Sequence, residues 1–288
     1  MSTDKIAPGK GTGGTVSYGS DGHRGRITIP VLHRMKRDER RIVSVTAYDY
    51  TFARLLDESG VDLILVGDSL GMVVQGHDTT LPVTLDEMIY HARCVSRGVD
   101  RAMVVCDLPF GAFQGGPQQA LQSAVRVLKE SGAQAVKIEG GRIMAETIEH
   151  LVARDIPVVA HVGLTPQSVH AFGGFKVQGR GEAGDKVMED ARIAAESGAC
   201  LLVLEGMPSE LAARITESIT IPTIGIGAGA GCDGQVLVLY DLLGLYGEVQ
   251  PRFVKRYLDG AEGIRQALTD YATEVRSGVF PAPEHQFK

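Results

Sequence analysis

The chain has 288 residues, a formal net charge of −6 and 44% hydrophobic residues. That length exceeds the typical domain but suits a single barrel of β/α units, which run near 250 residues, and the hydrophobic share supports a large core. The negative charge, with no basic stripe, argues against nucleic acid as the main partner, and no apolar run approaches the roughly 18 residues of a membrane span.

Residues 1–25 are rich in Gly, Ser and Thr and lack the apolar core of a signal peptide. They read as a disordered arm, and nothing in them directs export. Cys94, Cys106, Cys200 and Cys232 make no C-x-x-C pair, so free thiols in a reducing cytoplasm are expected. The expected organisation is an arm over 1–25, a catalytic barrel over 26–278 and a loose tail over 279–288.

Residues 30–37 form a short helix opened by Pro30, with Val31, Leu32 and Met35 on one face suited to plugging the bottom of a barrel. The first strand, Ile42-Val43-Ser44-Val45-Thr46-Ala47, ends at Tyr48-Asp49, and residues 51–59 carry Phe52, Leu55 and Leu56 at helical spacing. The second strand, Leu63-Ile64-Leu65-Val66, runs into Gly67-Asp68-Ser69. An unbroken apolar run suits a parallel strand covered on both faces, and an acid at its C-terminal end sits where such folds place their chemistry.

A long glycine-bearing loop over 69–83 follows. Thr84 and Glu87 form a capping box, and Leu85, Met88, Ile89, Ala92 and Val95 give the next helix its buried stripe. The third strand, Ala102-Met103-Val104-Val105-Cys106, ends on Asp107; Pro117 opens a helix with Leu121, Ala124, Val125 and Leu128 inward. The fourth strand, Ala135-Val136-Lys137-Ile138-Glu139, precedes a helix over 143–154. The fifth, 157–160, ends on His161 and enters a loop over 162–184 whose glycines suit a mobile lid.

A helix over 185–197 leads to the sixth strand, Leu201-Leu202-Val203-Leu204-Glu205, and the next helix starts near Ser209 as N-cap. Strands seven (221–226) and eight (235–239, ending at Tyr240-Asp241) are joined by a connection too short for a full helix. Residues 251–257 and 261–277 are C-terminal helices. Ser59-Gly60, Ser131-Gly132 and Ser197-Gly198 each close a helix, where glycine can take the left-handed conformation that ends it. The recurring unit is helix, glycine stop, buried strand, acid. Eight strands and about seven helices make a single-domain α/β fold, a closed (β/α)8 TIM barrel.

In that barrel Asp68, Asp107, Glu139, His161 and Glu205 stand at C-terminal strand ends around one mouth, the catalytic face of the fold. One Asp at a strand end is most simply a turn former; acids on four strands are not so easily explained. Four carboxylates within about 6 Å would repel by roughly 3 kcal/mol per pair at an effective dielectric near 20, so protons or a cation must sit among them. Oxygen donors favour a hard ion, Mg²⁺ or Mn²⁺. Zn²⁺ is disfavoured because Cys106, next to Asp107, faces the other side of its strand. Lys137, two residues before Glu139, projects into the barrel, towards an acid of the cluster or an anionic substrate group. His161 is either a hydrogen-bonded core histidine or a substrate contact. Ser69 is either a turn residue or places its N–H near a ligand oxygen. The glycine-rich stretch 226–234 is either an anion nest or a tight connection.

Val43-Ser44-Val45-Thr46-Ala47-Tyr48-Asp49, Val66-Gly67-Asp68-Ser69-Leu70-Gly71, Asp107-Leu108-Pro109-Phe110-Gly111, Val136-Lys137-Ile138-Glu139-Gly140-Gly141, His161-Val162-Gly163-Leu164-Thr165-Pro166-Gln167 and Ile224-Gly225-Ile226-Gly227-Ala228-Gly229 resemble the ketopantoate hydroxymethyltransferase family, in register from about Ile27 to Tyr257. The resemblance implies the first committed step of pantothenate and coenzyme A synthesis. There a hydroxymethyl group passes from 5,10-methylenetetrahydrofolate to 3-methyl-2-oxobutanoate through a Mg²⁺-stabilised enolate, giving 2-dehydropantoate. It implies Asp68, Asp107 and Glu139 as Mg²⁺ ligands and Glu205 as the proton acceptor. Asp68, Ser69, Asp107, Lys137 and His161 would hold the oxo acid. It further implies a cytoplasmic homo-oligomer, a decamer. A related Mg²⁺ barrel, such as a C–C lyase or mutase, would differ in not needing folate. A non-catalytic metabolite-binding barrel would lack the acids.

Overall fold

The computed structural model describes residues 25–247 and 250–288. The arm expected over 1–25 falls, but for Gly25, outside them. Among the described residues the strands are β1 (Ile42–Thr46), β2 (Leu63–Val66), β3 (Met103–Asp107), β4 (Ala135–Glu139), β5 (Val158–Gly163), β6 (Leu201–Glu205), β7 (Thr223–Ile226) and β8 (Gly234–Leu237). They close into one barrel in chain order, all pairs parallel, with β8 returning to β1. This is the expected (β/α)8 barrel.

Alternation along each strand divides the core in two. Val43, Val45, Ile64, Val66, Val104 and Cys106 point outward into the layer shared with the helices. Ile42, Leu63, Met103, Val105, Ala135, Val159, Leu201, Val203, Ile224 and Val236 fill the barrel interior. The helix Ile29–Arg37 closes the lower end, with Leu32 and Met35 buried in that inner cluster, so the expected plug is there. Strand period two then fixes what lies above: residues of inward parity past the apolar floor are Asp107, Lys137, Glu139, His161 and Glu205. Burying the apolar half of each strand is what brings the polar half to one mouth.

The local signals hold at most helix ends. Thr84 and Glu87 form both halves of the capping box. Gly60, Gly132 and Gly198 take positive φ of 86°, 82° and 98° at the three helix stops.

Six expectations are corrected. The 69–83 loop contains a helical turn, Leu70–Val73. Val125 is exposed and Val127 takes its place inside. Ser209 is the first helical residue, not the cap; Pro208 precedes it, and the Ser209 N–H donates to the Phe287 carbonyl at 3.0 Å. Strand eight ends at Leu237, because the Leu239 N–H bonds the Thr46 hydroxyl at 2.9 Å and a helical turn, Leu239–Leu242, begins there. Residues 251–257 are not helical: Val254 and Tyr257 are buried through tertiary contacts, the Tyr257 N–H bonding the Leu242 carbonyl. The tail after Gly278 is not loose, since Phe280 is buried and Phe287 bridges to Pro208.

Candidate active site

A cavity of about 470 Å³ opens at the C-terminal ends of the strands. Asp68, Ser69, Asp107, Lys137, Glu139, His161 and Glu205, every residue singled out in the sequence, line it. Asp68, Asp107, Lys137, Glu139 and His161 are each at most 6% exposed. Cys106 faces the helix layer, as expected from its parity, with its Sγ towards the Met88 carbonyl.

Lys137 is the hub. Its Nζ lies 3.3 Å from Asp107 Oδ1, 3.8 Å from Glu139 Oε1 and 3.2 Å from His161 Nδ1. The His161 ring spans two acids, with Nδ1 3.6 Å from Glu139 Oε1 and Nε2 3.2 Å from Glu205 Oε2. Asp68 and Asp107 are tied through the backbone: the Asp68 N–H donates to Asp107 Oδ2 at 3.1 Å.

Burial sets the charges. It pushes the Asp68 carboxyl well up, and the neighbouring Asp107 and Glu139 charges add to that. Burial likewise raises Asp107, with Lys137 opposing. For Glu139 burial again favours the neutral acid, but His161 and Lys137 outweigh it and hold the carboxyl below its ordinary range. Burial disfavours the Lys137 ammonium, yet Asp107, Glu139 and Asp68 more than reverse this and raise its pKa. The floor is thus a buried, partly compensated anionic nest.

In donor chemistry, though not in its present geometry, the carboxylate set suits a hard divalent cation. Asp107 Oδ1 and Glu139 Oε1 are buried and accept no hydrogen bond among the described residues. The acids do not converge on one point: among the described residues no group of three or more His, Cys, Asp or Glu forms a ready ligand set. They turn instead to Lys137 and to Gln167.

Gln167 is a residue that motif reading passed over. Its Nε2 donates to Asp68 Oδ2 at 2.8 Å and to the Leu108 carbonyl, while its backbone N–H donates to Glu139 Oε2 at 2.9 Å. Thr46 and Tyr48 were also missed. Thr46 donates to the Tyr48 hydroxyl, which bonds Ser69 Oγ at 2.8 Å, so a chain beginning at the Leu239 N–H positions Ser69. A third group, Phe175, Asp241, Phe253 and Phe287, walls the upper cavity. Asp241 carried a signal, being a further acid just past a strand. The loop expected as a lid contributes Phe175 and Val177 to that wall. Of the glycine-rich stretch after β7 only Ile226 reaches the cavity, and a Cβ on Gly227 would stand 3.1 Å from the rings of Phe253 and Phe287. Its part is close packing.

Close packing also protects Glu205. Gly163 has φ 96°, and a Cβ there would meet the Glu205 carbonyl at 2.3 Å. Only glycine lets β5 leave the sheet beside that acid.

The fold and this floor of acids around one lysine define a (β/α)8 barrel enzyme with its chemistry at the C-terminal strand ends. The chain belongs to the ketopantoate hydroxymethyltransferase family, whose model matches residues 26–283, well past the Tyr257 limit of the sequence motifs. The 3-methyl-2-oxobutanoate hydroxymethyltransferase of Magnetococcus marinus is 60% identical over 264 residues, covering 91% of this chain and 98% of that one. Its counterpart from Trichlorobacter lovleyi is 55% identical over 92% and 99%. Among solved structures, 2,3-dimethylmalate lyase, a member of the PEP mutase/isocitrate lyase superfamily, superposes with a TM-score of 0.56 at 19% identity over 75% of this chain and 82% of that one. Oxaloacetate acetylhydrolase gives 0.57 at 16%, over 86% and 95%. Those likenesses concern the fold alone. The family match identifies a transferase of pantothenate synthesis and sets aside the lyase, mutase and non-catalytic readings. All four cysteines are free, and no helix among the described residues is long and apolar enough to cross a membrane.

Proposed function

We propose that the chain transfers the one-carbon unit of 5,10-methylenetetrahydrofolate to 3-methyl-2-oxobutanoate, with water supplying the hydroxyl, giving 2-dehydropantoate and tetrahydrofolate. The observation that carries this reading is Glu205. It is a carboxylate at a strand end, 3.2 Å from a histidine nitrogen, opening onto the same cavity as three buried acids and a buried lysine.

Glu205 takes the C3 proton of the oxo acid. Water adds to the donor's methylene carbon and both of its C–N bonds break, so tetrahydrofolate leaves and the carbon is freed as formaldehyde. The electron pair left at C3 adds to that carbonyl carbon, and the new alkoxide takes the proton back from Glu205. Asp68, Asp107 and Glu139 would hold Mg²⁺, which would supply Lewis-acid polarisation of the oxo acid. Lys137 sets a fixed positive charge opposite the substrate's anionic oxygens, and Ser69, held by Tyr48, offers a polar contact beside Asp68. His161 lies between Glu139 and Glu205, orients the base and contacts the oxo acid. The enzyme works in the cytoplasm as a homo-oligomer, a decamer; sedimentation at working concentration measures the assembly.

One experiment tests the chemistry. Incubated with 3-methyl-2-oxobutanoate and Mg²⁺ in D₂O without folate, the protein should exchange the C3 hydrogen, seen by NMR, and EDTA should stop it. Absence of exchange with Mg²⁺ present would remove the deprotonation step.

A further inference from the structure

We propose that the upper, aromatic part of this cavity, walled by Phe175, Tyr246, Phe253 and Phe287, takes the pteridine ring of the one-carbon donor, with Asp241 accepting from the ring's 2-amino and N3–H groups. The inference rests on the reading above, which puts the oxo acid on the acid floor.

The cavity is larger than that small acid needs. Its volume of about 470 Å³ lies within the roughly 300–1,000 Å³ of sites that take drug-sized ligands, and its charged residues are concentrated at the strand ends. Above them the wall is aromatic. Phe253 and Phe287 pack edge to face with centroids 6.4 Å apart, and both rest against Gly227. Phe175 remains 52% exposed at the mouth, a large ring without full cover. A flat heteroaromatic ring suits such walls, since stacking recovers contact that an aliphatic chain would not.

That surround carries two charged side chains, Arg252 and an acid, Asp241. It sits on the helical turn Leu239–Leu242, which the Thr46 hydroxyl pins to β1. Its carboxylate accepts no hydrogen bond and makes no ion pair within 4 Å among the described residues; burial pushes its carboxyl up to about 6, with the more distant Arg256 charge only partly opposing. A half-buried carboxylate without a partner is costly and is best satisfied by two donors side by side. The 2-amino and N3–H groups of a 2-amino-4-oxopteridine are such a pair. The wall also includes Phe287, so the docked C-terminus is part of the subsite and not an appendage.

The test compares Asp241→Asn and Phe287→Ala with the wild type in two assays: folate-free C3 exchange of 3-methyl-2-oxobutanoate, and full turnover with 5,10-methylenetetrahydrofolate. Asp241→Asn should raise the KM for the folate about ten- to hundredfold, as expected for losing hydrogen bonds to a charged acceptor. The KM for the oxo acid and the exchange rate should stay within about twofold of wild type. Phe287→Ala should follow the same pattern, more weakly. An unchanged folate KM in an Asp241→Asn protein that still exchanges would overturn the subsite, and so would a parallel rise in both KM values. A wild type that fails to exchange would overturn the underlying reading of the floor instead.

Discussion

His161 Nε2 stands 3.2 Å from Glu205 Oε2, and the ring's other nitrogen faces Glu139. Burial and the adjacent Lys137 both disfavour the imidazolium, but the neighbouring carboxylates of Glu139 and Glu205 outweigh them and raise the His161 pKa. The ring therefore sets positive charge against the Glu205 carboxylate. Replacing the base while keeping its shape separates proton transfer from binding. Glu205→Gln should lower C3 exchange by about 10²- to 10⁴-fold. Calorimetry should find oxo-acid affinity little changed. Retained exchange would take Glu205 out of the proton step.

Lys137 supplies the positive charge for Asp107 and Glu139 at 3.3 and 3.8 Å, with every side chain concerned nearly fully buried. Breaking a buried ion pair from one side leaves uncompensated charge and typically costs about 3–5 kcal/mol. Lys137→Met should lose stability of that order in urea unfolding at neutral pH and should bind the oxo acid weakly. Stability within about 0.5 kcal/mol of wild type would show that the acids hold protons instead of leaning on the lysine.

Much of this was legible because strand parity and burial are local properties of sequence. Once Leu63 and Met103 face the barrel, the positions of Asp107, Lys137 and Glu139 follow from counting by two. Gln167 escaped because its contacts depend on a 3₁₀ turn, Pro166–Ser168, that brings its amide to Asp68, ninety-nine positions away in sequence. Phe287 carried no local signal at all; its place is set by a bridge to Pro208. Residues 251–257 show the opposite failure, a helix-like spacing of Phe253, Val254 and Tyr257 that tertiary burial uses without a helix.

The metal assignment predicts a ligand-linked gain in stability. If Asp68, Asp107 and Glu139 hold Mg²⁺ in the folded state only, saturation to 100 times the dissociation constant should stabilise the protein by about 2.7 kcal/mol. Thermal melts with Mg²⁺ and with EDTA measure it. Asp107→Asn should abolish the difference between the two melts. A Mg²⁺ shift that survives this substitution would place the ion elsewhere.

Gln167 holds Asp68 from one side and Glu139 from the other. Only its amide side chain is removed by Gln167→Ala, since the bond to Glu139 comes from the backbone. The Asp68 carboxylate then loses a donor, so the variant should bind Mg²⁺ more weakly by about tenfold, the effect typical of losing a group that orients a ligand. The Mg²⁺ dependence of C3 exchange reads this directly. Full exchange at saturating Mg²⁺ would mark Gln167 as a positioning residue, whereas an unchanged Mg²⁺ requirement would show that Asp68 is oriented without it.

Asp241 sets a dependence on pH with a definite direction. Its folded-state pKa lies near about 6, above the ordinary 3.8, because burial penalises the charged form. An acid raised in this way contributes most to stability when protonated. That contribution is intact below about pH 4 and is lost as pH rises through about 6. At pH 7.5 the ionised side chain should thus cost the free protein about 1–2 kcal/mol, after allowance for partial exposure. Asp241→Asn should melt higher than wild type at pH 7.5, and the gap should close as pH falls from about 6 to about 4. Folate binding runs the other way, since only the carboxylate accepts two N–H donors, so the wild-type KM for the folate should rise below about pH 6 while that of Asp241→Asn stays flat. A melting gap that does not vary with pH would mean that this carboxyl titrates as it does in water.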